Sequence, residues 1–124
     1  MITEIELYQH TIKAGEYGGT KVPQMKIVSD YMDPRDLETE IVLAYSKTIN
    51  ADPRNGVFIR DGLNHLYLKR PREPWTDFSL DHLATETSQI VLGGINEKAE
   101  QYLRGMVNYF QEMFPNAVVI DNLS

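Results

Sequence analysis

The chain has 124 residues, 42% of them apolar and 24% charged, which are the proportions of one globular domain, read here as 1–124. Without cysteine it has no disulfide, no thiolate nucleophile and no sulfur-ligated metal, and no apolar run approaches the roughly 18 residues of a membrane span. A net charge of −6 disfavours a general duplex-binding protein, and Glu4 and Glu6 disfavour a leader peptide, so the chain reads as cytoplasmic.

At the start, Ile2, Ile5, Tyr8 and Ile12 approximate one helical face, and Thr3 with Glu6 has capping-box spacing. Ile5 and Leu7 would equally serve an alternating strand. The reading leans to helix, ended by Gly15 and the Gly18–Gly19 pair. Val22–Val28 is expected as a short edge strand, because Pro23 has no amide for a central ladder. Gly15–Lys21 has glycines and a lysine but lacks the spacing of a phosphate-binding loop, so it reads as a connection.

The next helix is better marked. Asp33 fits the N-cap, Pro34 the first helical position and Asp36 the first turn, where the dipole favours acids. Leu37, Ile41, Tyr45 and Thr48 then run down one side. Asp30, Asp33, Asp36, Glu38 and Glu40 do not match a calcium loop and read as capping residues and a solvated face. Ala51–Gly56 is a loop by composition.

Val57–Lys69 reads as a β-hairpin, with Asp61-Gly62 as a two-residue turn. That register sets Arg60 opposite Leu63, Ile59 opposite Asn64, Phe58 opposite His65 and Val57 opposite Leu66. Pro71 and Pro74 break regular structure, and Leu80–Leu92 reads as a third helix that ends at Gly93-Gly94. A last helix, about 96–114, starts at Asn96 and stops at Pro115. Its stripe is Ala99, Tyr102, Leu103, Met106, Val107, Phe110, Met113 and Phe114. The expected fold is α+β: a small antiparallel sheet centred on the hairpin at about 57–69, packed by three to four helices.

The hairpin also carries the functional expectation. Arg54, Arg60, Lys69, Arg70 and Arg72 face a single acid, Asp61, within 54–72, a local charge of +4 that leaves −10 on the rest of the chain. A cationic patch on an acidic body is a landing place for an anion. By the expected register Phe58, Arg60, His65, Tyr67 and Lys69 share one face, with Arg70, Arg72 and Trp75 just beyond. Rings stack on bases while cations neutralise phosphate, so these eight residues are the candidate site for a nucleotide-like ligand. Lys and Arg on an outer strand also deter aggregation, which explains the same residues structurally.

Other constellations are weaker. His82 and Glu86 have i, i+4 spacing but no third ligand, so no metal or cofactor is assigned. No nucleophile motif is present, and no catalytic residue is assigned. The leading expectation is a non-enzymatic binding protein, by analogy a phage-type sequestering or inhibitory accessory protein. The alternatives are an adaptor, inhibitor or assembly subunit docking on an acidic protein surface, and a small enzyme using His65 or His82 as acid–base. Self-association is expected through the C-terminal helix or the Val118–Ile120 tail.

Overall fold

The computed structural model has nine elements in chain order: β1 (Ile2–Thr11), β2 (Lys21–Ser29), α1 (Pro34–Thr48), β3 (Phe58–Asp61), β4 (His65–Leu68), β5 (Ser79–Leu83), β6 (Ser88–Gly93), α2 (Ala99–Met113) and β7 (Val118–Asp121). The structure describes residues 1–30, 33–54, 57–61, 65–68, 79–83, 88–93 and 98–123, with side chains at all of these except 34, 59–61, 65–67, 79–83 and 88–93. The strands make one seven-stranded sheet in the order β3-β4-β5-β6-β2-β1-β7. Only the β1–β7 pair is parallel, so the sheet is mixed.

The α+β layout agrees with the sequence reading, but the helix count does not. Two helices, not three to four, are present among the described residues. Residues 2–11 form a strand. Ile2 pairs with Ser29 but Glu4 with Val28, so one extra residue is inserted on β1. This bulge turns Ile2 to the same face as Ile5 and Leu7, and all three are at most 2% exposed. The three-residue step from Ile2 to Ile5 therefore imitates a helical stripe. The Thr3 hydroxyl donates to the Val28 carbonyl at 3.3 Å instead of capping a helix.

The glycines close a hairpin rather than ending a helix. The Ile12 amide donates to Thr20 O at 2.9 Å and the Gly19 amide to Ile12 O at 2.7 Å. Gly15 and Gly19 sit at φ +88 and +86, a region that L side chains rarely adopt. β2 is interior, between β1 and β6, and not an edge strand. Pro23 pairs with Gln9 one residue before the β6 ladder begins at Gln24, so its missing N–H takes nothing from that ladder.

The expected third helix over 80–92 is replaced by β5 and β6. Ladder pairing decides this: Leu80 pairs with Leu92, and Ile90 pairs with Ile27 across β2. A short apolar run has no helical or strand identity of its own until a neighbour supplies hydrogen bonds.

The two remaining helices follow their local signals. The Asp33 carboxylate accepts from the Arg35 amide at 2.8 Å, with Pro34 following as the first helical residue. At the other end Asn50 takes φ 56, and the amides of Asn50 and Ala51 donate to Lys47 O and Ser46 O. That is a Schellman stop built on asparagine in place of glycine. α2 starts at Ala99 with Lys98 at the N-cap, so the expected start at Asn96 is corrected. Met113 also leaves the expected stripe, being 54% exposed.

Both helices cover one face of the sheet, α2 against β2 and α1 against β6, and they pack on each other. Ile5, Leu7, Met25 and Ile27 meet Leu37, Ile41, Tyr45, Leu103, Met106 and Phe110 in one core. Each such fully buried side chain contributes about 1.5–3 kcal/mol. Tyr45 and Tyr102 meet edge-to-face at 5.7 Å between centroids, joining the helices. Gly105 permits that approach: a Cβ there would lie 2.4 Å from Thr48 Cγ2. Thr48 has little room to yield, because it is β-branched and its hydroxyl donates to Ala44 O at 2.8 Å.

Gly105→Ala gains about 1 kcal/mol of helix propensity, yet the overpacking cost of about 1–3 kcal/mol outweighs it and the variant is less stable. Adding Thr48→Ser removes Cγ2 and restores stability. Urea unfolding of both variants checks this, and an unchanged midpoint for Gly105→Ala contradicts it.

Candidate functional site

The basic segment 54–72 contains β3 and β4, and β3 is a terminal strand of the sheet among the described residues. Val57 and Leu68, both fully buried, fix this ladder to the core. Its pairs are Phe58–Leu68, Ile59–Tyr67, Arg60–Leu66 and Asp61–His65. The connection is residues 62–64, so the expected two-residue turn and its register are corrected. Opposed residues share a ladder position and successive residues alternate, so an odd shift reverses the assignment of one whole strand. Arg60 now shares a position with Leu66, and Tyr67 shares one with Ile59. Arg60 and Tyr67 hold alternate positions, and a single face interleaving cations with rings does not follow from this register.

Of the eight candidate residues, Phe58 is described in full and is 42% exposed. The backbones of Arg60, His65 and Tyr67 are in β3 and β4, while their side chains lie outside the described residues. Lys69, Arg70, Arg72 and Trp75 lie outside them altogether. The structure therefore brings together the strands that carry the first four.

Arg54 is described, and it is not a free cation. Its guanidinium meets both Asp52 carboxylate oxygens at 3.2 and 3.1 Å, and its amide donates to Asp52 Oδ1 at 2.9 Å. The guanidinium hydrogen bond, then the amide, holds the Asp52 carboxyl below its usual range. The Asp-Pro-Arg spacing is an Asx-turn signal that a count beginning at residue 54 overlooks.

His82 lies in β5, and Glu86 lies outside the described residues, so the proposed i, i+4 chelating face is not formed on a helix. Among the described residues no group of three His, Asp or Glu side chains is placed to hold a metal ion. Glu38 departs from the solvated face expected of the acids near α1, being only 4% exposed. Its position seven residues before Tyr45 was the available signal, since that spacing shares a helix face.

Comparisons with protein-family models, curated proteins and solved structures return no match. No helix among the described residues is long and apolar enough to cross a membrane.

The other end of the sheet has a different character. β7 exposes Val118 at 58% and Ile120 at 37%. Glu4 and Glu6 of the adjoining β1 pair with these two residues. Arg104 Nη1 donates to Asp121 Oδ2 at 2.6 Å, with Glu100 3.9 Å from Arg104 Nε. The Arg104 hydrogen bond, then the Leu123 amide, pulls the Asp121 carboxyl below its usual range.

The sign of that shift sets a pH dependence. A carboxyl with a depressed folded value stabilises the fold above the ordinary carboxylate value of about 3.9, and that contribution is lost as pH falls through the folded value. Exposure and salt keep it small. Asp121→Asn is expected to flatten the acid limb of urea-unfolding stability below about pH 4. An acid limb identical to that of the parent contradicts this.

Proposed function

We propose that the protein is a non-catalytic binding module, acting in the cytoplasm, whose basic segment 54–72 docks on an acidic protein surface. The carrying observation is that the strand bearing Arg60 ends the sheet among the described residues, within the one segment of strongly positive charge. A terminal strand offers unpaired backbone groups, and surrounding cations select an acidic partner and speed its approach. The β3–β4 register supports docking over small-molecule capture. A nucleotide needs rings and cations converging from one side, and Arg60 alternates with Tyr67 in the ladder. The cysteine-free composition suits a reducing compartment.

The test is retention on immobilised poly-glutamate, beside native mass spectrometry of the protein purified gently from cells. Retention is expected despite the net charge of −6, with release by added salt and loss in Lys69→Glu with Arg72→Glu. A stoichiometric nucleotide-like mass would replace docking by ligand capture. Turnover abolished by His65→Ala or His82→Ala would make the protein an enzyme.

A further inference from the structure

The two end strands of the sheet match in chain direction and in length, and the sequence segments that carry them differ in charge. β1, α2 and β7 carry Glu4, Glu6, Glu100, Glu112 and Asp121 against one cation of their own, Arg104, with Lys26 of β2 near Glu6 and Lys47 of α1 near Glu112. At the opposite end β3 carries Arg60 beside Asp61, and the surrounding segment 54–72 has a sequence charge of +4, of which Arg54 is held by Asp52. β3 and β7 are both four residues long. Each exposes apolar surface, Phe58 on β3 and Val118 with Ile120 on β7.

Direction follows from the ladders. Five antiparallel pairings separate β1 from β3, so β3 runs opposite to β1. β7 runs parallel to β1, hence opposite to β3. A second copy set beside the first, helices on the same side, would bring its β3 antiparallel to the first copy's β7. Antiparallel pairing is the slightly stronger kind per residue. The needed backbone groups face the right way on β7. The Asn122 amide donates inward to Leu7 O at 2.8 Å, so by alternation the amides of Val119 and Asp121 point away from β1.

We infer that the acidic partner of the basic end is a second copy of this chain, with β3 of one molecule pairing head-to-tail with β7 of the next. This rests on the docking reading and names its partner. The symmetric alternative β7 on β7 is disfavoured by charge, since it sets acids against acids, and β3 on β3 would leave the acidic end without a partner. A head-to-tail contact leaves one free edge of each kind, so the assembly either closes into a ring or grows as a chain.

Sedimentation velocity across protein concentration, at low and high ionic strength, is the test. The parent chain is expected to form species heavier than one chain, and these dissociate as salt rises. Val118→Lys with Ile120→Lys, and separately Phe58→Glu with Arg60→Glu, should each lose every such species while keeping a cooperative thermal transition. Mixing the two variants should restore association, because each retains the edge that the other lacks. Self-association of the Phe58 and Arg60 variant equal to the parent's would mean symmetric pairing through β7 and overturn the proposal. A parent that remains a single chain throughout also overturns it. If that single chain still binds poly-glutamate, the docking reading stands and only this inference falls. If it does not, both fall.

Discussion

The β1–β2 ladder is the contact on which the rest of the fold depends. β1 gives its second edge to β7, and β2 gives its second edge to β6, so all other strands reach the sheet through these two. The ladder extends from Ile2–Ser29 to Thr11–Lys21, longer than any other pairing among the described residues. It also supplies the floor of the core, through Ile5, Leu7, Met25 and Ile27. The opposite face is polar. There Tyr8 donates to Gln24 Oε1 at 2.9 Å, and Lys26 lies 3.5 Å from Glu6. Partial burial, with the Glu6 charge as the lesser cause, pushes the Tyr8 hydroxyl above its ordinary range.

The helices complete the core as a pair. α2 sits over β2 and α1 over β6, and their seam closes only because residue 105 has no side chain. At the rim, Lys47 lies 5.8 Å from the Tyr109 ring centroid and 3.6 Å from Glu112. Burial, then the nearby Glu40, pushes the Tyr109 hydroxyl up. Such exposed contacts orient the helices more than they hold them, since each is worth well under the burial of one core side chain.

What could be read from the sequence followed how local the signal was. α1 was legible because its cap and first turn are encoded within four residues, Asp33 to Asp36. α2 was legible from a stripe repeated over four turns. β1 was misread because a bulge gives two buried isoleucines a helical interval. β5 and β6 were misread because their identity comes from β2 and β4, which are distant in sequence. The hairpin at 57–69 was found, yet its register was not: Asp61 lies in β3 and pairs with His65, a shift of three residues from the register that the Asp61-Gly62 signal implies, and Tyr67 comes opposite Ile59. The candidate site inherited that error, since its composition was a statement about parity. The charge asymmetry needs no register, though Asp52 just before the segment holds Arg54.

The sheet acts as a whole through its central ladder, because each terminal strand is held at a distance by the pairings between. Residue-resolved hydrogen exchange tests this account most directly. The β1–β2 amides are expected to exchange only through global unfolding, with protection declining toward the outward amides of β3 and β7. Fast exchange along residues 2–11 and 21–29, at the rate of the terminal strands, would contradict a fold organised on that ladder.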